Sequence, residues 1–241
     1  MQALDNSISN PALSLSISEQ LVFLIESTSI NKLDNYSKEH YLFAVITGCI
    51  ADLFLLDKIH FVQGRINLNN NPKKVSDYLT DIMRQILSNR EEKSIFYILL
   101  AMNYRQMSQI ESMIVDDLID KKLLVREHEG FSIFGKSFLH ANNEDFRFDL
   151  NKILKDGLNA DEEPPMQIIF LLTLLDGIDL LPILCKSENE LNYSRQHLES
   201  FIKNDHIAKL LLRAIQNEIK INDLENMPKH QGGGLGIGRM F

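Results

Sequence analysis

Apolar residues recur at helical spacing along most of the chain. The first such run places Leu21, Leu24 and Ile25 on one face, and it follows Ser16 and Glu19. A serine three residues before a glutamate has the spacing of a capping box, in which each side chain bonds the other residue's backbone N–H at a helix start. We therefore predict that a helix begins at Ser16.

Further runs with the same period predict the remaining helices. Residues 41–56 are apolar on nearly every side and contain one acid, Asp52, which is typical of a helix at the centre of a fold. Polar residues over 31–38 indicate a loop before this helix. The other predicted helices cover residues 75–87, 95–102, 109–124, 142–156, 167–175, 192–201 and 207–218, with a short apolar segment at 180–185.

In two places the apolar period changes from helical to alternating. Residues 58–62 and 65–68 alternate around Gln63-Gly64, and this pattern predicts a β-hairpin closed by a glycine turn. Together with the helices, it indicates a mainly α fold: a single helical domain with a central apolar helix and two or more small β-hairpins.

The second hairpin is predicted from strands at 124–126 and 131–135 on either side of a turn at 128–130. Three large apolar residues lie at its tip and just beyond it: Phe131, Ile133 and Phe134. An exposed apolar cluster on a hairpin is typical of a bilayer or partner contact, whereas the same cluster packed on the domain would serve the fold. The sequence leaves both interpretations open.

The ends of the chain differ in character from its middle. Residues 1–13 are polar and predict a loose tail, and the glycine-rich residues 226–241 predict a flexible tail. A phosphate-binding glycine loop needs a helix after it, and only Arg239-Met240-Phe241 follow the glycines. The domain itself is expected to cover 14–225.

Composition narrows the possible partners. The formal net charge of the 241 residues is -8, and net negative charge repels phosphate backbones and anionic bilayers at long range. Nucleic acid is therefore not an expected partner. The N-terminus lacks the pattern of a secretory signal, and Asp176 and Asp179 interrupt the longest apolar stretch, 166–184. A cytoplasmic protein is expected, with Cys49 and Cys185 as reduced thiols.

No set of residues has the pattern of a catalytic or metal site. Asp176 with Asp179 has the form of a carboxylate pair, but no nucleophile or histidine accompanies it at useful spacing, and a turn explains it as well. The seven histidines are dispersed along the chain. We therefore expect a protein that is not an enzyme, with no catalytic residues, no cofactor and no metal.

A helix over 109–124 followed by a hairpin also has the order of a winged helix. Its acids Glu111, Asp116, Asp117 and Asp120 would repel DNA phosphates. A winged-helix regulator therefore stands third among the functional hypotheses.

The order of elements resembles that of the Golgi phosphoprotein-3 family, with this chain as a divergent member of bacterial type. The resemblance covers roughly 13–220 and depends on element order and apolar pattern. The matching segments are Leu13-Ser14-Leu15-Ser16-Ile17-Ser18-Glu19-Gln20-Leu21, Thr47-Gly48-Cys49-Ile50-Ala51-Asp52-Leu53, the hairpin over 58–66, Asp117-Leu118-Ile119-Asp120-Lys121-Lys122-Leu123-Leu124, and the apolar stretch 166–181.

The resemblance implies recognition of phosphatidylinositol-4-phosphate, insertion of the second hairpin into the bilayer, and oligomers made through that hairpin. The family's headgroup pocket uses a tryptophan and several arginines. This chain has no tryptophan, and the positions of two of those arginines fall at about Ser108 and Glu111. Lys38 and Arg105, together with Lys32, are the cations that could take their place.

We therefore expect a non-enzymatic, peripheral membrane or phosphoinositide-binding protein. Lys38 and Arg105 would contact the anionic lipid headgroup, while Phe131, Ile133 and Phe134 would enter the bilayer. The alternative is a soluble cytoplasmic interaction or scaffold protein that forms a homo-oligomer through the same hairpin.

Overall fold

The computed structural model describes residues 11–27, 35–70, 73–88, 94–128 and 137–226, and every structural statement below concerns these ranges. The α-helices are α1 (Ile17–Ser27), α2 (Asn35–Leu55), α3 (Asp77–Ser88), α4 (Ile95–Ala101), α5 (Tyr104–Asp120), α6 (Glu144–Leu158), α7 (Met166–Gly177), α8 (Glu188–Asn204) and α9 (His206–Asn226). The strands are β1 (Ile59–Val62), β2 (Arg65–Leu68), β3 (Leu124–His128) and β4 (Ser137–Ala141), and 3-10 helices cover Pro11–Ser14 and Leu181–Leu184. The predicted mainly α fold with small hairpins is confirmed.

Helix α2 lies at the centre of the fold. It packs against α1, α3, α4, α5, α7 and α9, and its residues from Tyr41 to Leu53 are buried. The prediction of a central apolar helix is therefore confirmed. The helix begins earlier than predicted, because residues 35–38 of the expected loop are already helical.

The first hairpin has the predicted form. Strands β1 and β2 are antiparallel, with Ile59 opposite Leu68 and Val62 opposite Arg65. Gln63 and Gly64 both have positive φ, 51° and 75°, which is the backbone of the tight turn that matches the twist of two paired strands.

The second hairpin exists, but its second strand was predicted wrongly. Strand β3 pairs with β4, from Leu124 opposite Ala141 to His128 opposite Ser137, so its partner strand is 137–141. Leu124 and Ala141 are both buried at the base, so burial there sets the pairing register. The connection is therefore 129–136, which includes the predicted turn and strand and lies outside the described residues.

The N-terminal part of the domain begins before residue 14. Residues 11–13 of the predicted tail belong to a 3-10 helix, and Ala12 is buried. Gln20 Nε2 donates to the Ala12 carbonyl oxygen at 2.8 Å. Residues 1–10 and the glycine-rich tail from 227 onward lie outside the described residues.

Helix α1 begins in a buried polar network. The predicted capping box is confirmed: Ser16 N–H donates to Glu19 Oε2 at 2.9 Å, and Glu19 N–H donates to Ser16 Oγ at 3.2 Å. Asp52, from the distant helix α2, accepts from Ile17 N–H at 2.6 Å and from Ser18 N–H at 3.1 Å. Ser18 Oγ–H also donates to Asp52, at 2.6 Å. A side chain of α2 thus supplies part of the N-terminal cap of α1.

Candidate functional site

Strand β3 runs back alongside α5. Lys122, at φ 59°, reverses the chain after the helix, and Arg126 Nη2 then lies 3.4 Å from Asp116 Oδ1. A strand advances ~3.3 Å per residue and a helix ~1.5 Å. His128 is therefore about level with Ser112, near the middle of α5.

The first turn of α2 and the last turn of α1 lie at this same end of the domain. Lys121, at the C-terminal end of α5, contacts Glu19 in the first turn of α1, so α1 and α5 are antiparallel. Glu26, in the last turn of α1, interacts electrostatically with Glu111 and with Lys38. We call this region, defined by Glu26, Lys38 and Glu111, the hairpin end.

Two carboxyl groups at the hairpin end bind protons more tightly than usual. Burial raises the pKa of Glu26 to about 7; Glu111 raises it further, and Lys38 opposes the change. Burial also raises the pKa of Glu111, against the lowering effects of Lys38 and Arg126. Lys38 is half-buried between these acids, so its charge is largely compensated when both are ionised.

A buried tyrosine lies beside these acids. The Tyr41 hydroxyl has no hydrogen-bond partner in the structure, and only 2% of the residue is exposed. Burial, followed by Glu26 and Glu111, raises its pKa well above the usual value. The tyrosine therefore stays neutral and adds no charge to the hairpin end.

Arg105 belongs to a different environment, an open cleft of about 500 Å³ between α3 and α5. The lining residues are Asp81, Arg105, Ser108, Gln109, Ser112 and Met113. Those from α5 recur at helical spacing and form one face of that helix. Across the cleft, the Asp81 carboxylate is held by Arg84. Arg105 is exposed, so its guanidinium can meet an anionic group from outside.

The structure does not place the two predicted headgroup cations in one pocket. Lys38 lies among acids, whereas Arg105 lines the α3–α5 cleft. Phe131, Ile133 and Phe134 lie within 129–136, outside the described residues.

Sequence reasoning missed Glu26, and it noted Tyr41 only as a residue in the region of the family's headgroup tryptophan. Glu26 is the one half-buried residue of α1, whose other residues are buried. A lone acid in an otherwise apolar helical run was a signal that could have singled it out, as it did for Asp52. Nothing in the sequence pattern distinguishes Tyr41 from an ordinary core residue.

The carboxylate pair Asp176 and Asp179 is structural. Arg195 Nε donates to Asp176 Oδ1 at 2.9 Å, and Arg195 Nη2 donates to Asp179 Oδ1 at 2.8 Å. The arginine thereby ties α8 to the end of α7, where Asp179 has φ 56°. Within the described ranges, no group of three His, Cys, Asp or Glu side chains is arranged to hold a metal ion.

Among the described helices, none combines the length and the apolar content needed to cross a membrane.

In comparisons with known proteins, no family model matches this chain, and no curated protein matches it either.

Proposed function

We propose that the protein is a non-enzymatic, peripheral lipid-surface binder that attaches through its hairpin end. The observation that carries this proposal is the exposure gradient along the second hairpin. Leu124 is buried at the base, Val125 is half-buried, and Arg126 and Glu127 are exposed. Strand β3 thus leads from the core to solvent just before the segment 129–136, which contains three large apolar residues.

That segment contains the residues that would enter the bilayer. Phe131, Ile133 and Phe134 are three large apolar side chains within 129–136. Moving such a side chain from water to an apolar environment contributes roughly 1.5–3 kcal/mol. Two or three of them are enough for reversible attachment without a membrane-spanning helix.

Electrostatic attraction is expected to contribute less to the free energy of membrane binding than the apolar side chains do. Lys38 and Arg126 face Glu26 and Glu111, so the hairpin end is close to neutral when the acids are ionised. A phosphomonoester is bound best by converging cations, and Lys38 lies apart from Arg105. We therefore propose attachment with little preference for phosphatidylinositol-4-phosphate over other anionic lipids.

Vesicle co-sedimentation tests this proposal. The full-length protein is mixed with vesicles of phosphatidylcholine alone, with added phosphatidylserine, or with added phosphatidylinositol-4-phosphate. The double variant Phe131→Asp/Phe134→Asp is expected to bind at least about tenfold more weakly, because it loses two apolar anchors. The matched control is Phe148→Asp on α6, where an aromatic side chain is 69% exposed and binding should be unchanged.

Two results would contradict the proposal. One is the absence of wild-type binding to every vesicle at low salt. The other is an equal loss of binding in the hairpin variant and in Phe148→Asp. A strong preference for the phosphoinositide would instead mean that Lys38 and Arg105 act together on one headgroup.

Self-association through the same hairpin is the second candidate function. The net charge of -8 disfavours approach to anionic bilayers at long range. Light scattering distinguishes the candidates: dissociation of an oligomer by Phe131→Asp/Phe134→Asp supports a soluble scaffold. Unchanged mass with lost vesicle binding supports lipid attachment.

A further inference from the structure

We propose that a groove between α3 and α5 binds an extended peptide segment of another protein, with a basic residue at one end and an acidic residue at the other. The groove joins two clefts, because Met113 on α5 lines both of them. One is the α3–α5 cleft that Arg105 lines, and the other, of about 380 Å³, lies at the start of α3. We call the two clefts together the α3–α5 groove.

The two helices that form the groove run in opposite directions. Asp77, in the first turn of α3, lines the second cleft together with Asp116 and Asp117, near the end of α5. Asp81, one turn further along α3, lines the first cleft with residues nearer the start of α5. From Arg105 to Asp117 the groove follows α5 for ~18 Å. An extended chain covers that length with about five or six residues.

Negative charge exceeds positive charge at one end of the groove. The second cleft is lined by three aspartates and one cation, the exposed Lys74. Asp116 is paired with Arg126 at 3.4 Å. The other two aspartates, Asp77 and Asp117, belong to no ion pair within the ranges that the structure describes.

Repulsion between neighbouring acids also marks this end. Burial raises the pKa of the Asp117 carboxyl, and the acids around it, Glu19 first among them, raise it further. Lys121 acts in the opposite direction, but it also contacts Glu19. A cation that a ligand brings to this end relieves the repulsion. The net charge of -8 attracts basic partners at long range.

The opposite end of the groove carries a positive charge. Arg105 is exposed, and among the described residues it takes part in no ion pair. Asp81, the acid that lines the same cleft, is held by Arg84. Arg105 therefore favours an acidic residue of the occupant at this end, ~18 Å from the basic residue.

The middle of the groove suits a peptide backbone. The side chains of Ser108, Gln109 and Ser112 line it on α5, and hydroxyl and amide groups both donate and accept hydrogen bonds. Met113 adds a flexible apolar contact that adapts to different side chains. An open, mostly polar groove encloses a small molecule poorly, and it lacks the apolar floor that an amphipathic helix needs. An extended chain is the occupant that fits.

Selection from a displayed library of random hexapeptides on the immobilised full-length protein tests this proposal. The enriched peptides are expected to carry Lys or Arg at one end and Asp or Glu at the other, because the charges of the groove are separated in the same way. A fluorescein-labelled peptide of the enriched sequence then gives the Kd by fluorescence anisotropy. Its affinity should fall as salt is added.

Three variants locate the binding in the groove. Asp77→Asn/Asp117→Asn removes the two acids without an ion pair and should weaken binding at least about fivefold. Arg105→Gln should weaken binding of the selected peptide, but not of the same peptide with glutamine in place of its acidic residue. Ser112→Trp fills the groove at an exposed position, so it should block binding without any change in charge.

A control with the same change in net charge isolates position. Asp161→Asn/Glu162→Gln removes two exposed carboxylates from the α6–α7 connection and should leave the Kd of the peptide unchanged. Thermal unfolding of every variant shows whether it is folded at the temperature of the binding assay. Since Asp117 is half-buried, the exposed Ser112→Trp change keeps the test decisive if the double aspartate variant is unstable.

Three results would overturn the proposal. The first is a selection that enriches no sequence, or only sequences without a basic end. The second is unchanged peptide binding in Ser112→Trp. The third is an equal loss of affinity in Asp161→Asn/Glu162→Gln, which would reduce the effect to net charge. None of these results bears on lipid attachment, which the vesicle experiments measure separately.

Discussion

Replacing Asp52 with alanine is expected to lower the free energy of unfolding by about 3 kcal/mol. The change leaves the buried N–H groups of Ile17 and Ser18 without their acceptor, whereas the Ser18 hydroxyl keeps Ser16 Oγ as a partner at 3.2 Å. Each orphaned buried donor costs ~1–3 kcal/mol. Part of this loss of stability is offset in the variant, because the wild-type protein bears the free-energy cost of burying an ionised carboxylate and the variant does not.

Urea unfolding followed by circular dichroism measures this loss at neutral pH. Asp52→Asn keeps one acceptor oxygen, so its free energy of unfolding should fall less than that of Asp52→Ala. The control is Asp149→Ala, since Asp149 is exposed on α6 and should change stability by no more than about 0.5 kcal/mol. Equal stability of Asp52→Ala and the wild type would show that α1 does not depend on this cap.

The contribution of Asp52 should also depend on pH. Burial raises its pKa to about 6, although the bonds from Ser18 and Ile17 lower it. An unfolded aspartate titrates near 3.9. Between these values the folded state binds the proton more tightly, so stability falls as the pH rises from about 4 to 6, by on the order of 2 kcal/mol. The fall should be absent from the stability curve of Asp52→Asn and should therefore remain in the difference between the wild-type and variant curves.

Gly48→Val is the second change for which a large effect is expected, a loss of about 2–3 kcal/mol. A Cβ at position 48 would lie 3.3 Å from Leu174 Cδ1, and 3.4 and 3.5 Å from the backbone Cα and N of Ser18. A flexible leucine can move, but the backbone of Ser18 is held by Asp52. A branched side chain would therefore push the first turn of α1 away from α2.

A graded series measures the effect of size at this contact. Gly48→Ala adds only the Cβ and gains helix propensity, so its free energy of unfolding should fall only slightly. Gly48→Val combined with Asp52→Asn should lose less than the sum of the two single changes, because both disturb the same junction. Full additivity, or a neutral Gly48→Val, would contradict the close approach of α1 and α2.

Local signals were enough to predict the features that depend on neighbouring residues. The Ser16 and Glu19 capping box and the Gln63-Gly64 turn both satisfy backbone groups within a few residues of themselves, and both are confirmed. The run 41–56, apolar on nearly every side, identified the central helix, because a helix without a polar face has to be enclosed.

Two features were predicted wrongly, for different reasons. The capping box between Asn103 and Gln106 that begins α5 is a local signal, but its spacing was not recognised, so the helix was expected to begin at 109. The second strand of the second hairpin, by contrast, depends on a distant contact. Residues 131–135 and 137–141 are both apolar enough for a strand, and burial of Ala141 against the domain selects the latter.

The candidate site likewise combines a feature that local sequence indicated with features that depend on distant contacts. The sequence singled out Lys38 as a headgroup cation from its type and its place before the central helix. Only the packing of α1 and α5 shows that Glu26 and Glu111 flank it. A cation whose charge is compensated by residues from two other helices has no sequence pattern of its own.

Because α2 caps α1, the amide hydrogens at the start of α1 can report the local separation of the two helices. The amide hydrogens of Ile17 and Ser18 are bonded to a carboxylate 34 or 35 positions away along the chain. They can exchange with solvent deuterium only when α1 separates from α2, whereas first-turn amides of an ordinary helix exchange by fraying. Their exchange rates therefore give the free energy of undocking α1, residue by residue, without unfolding the protein.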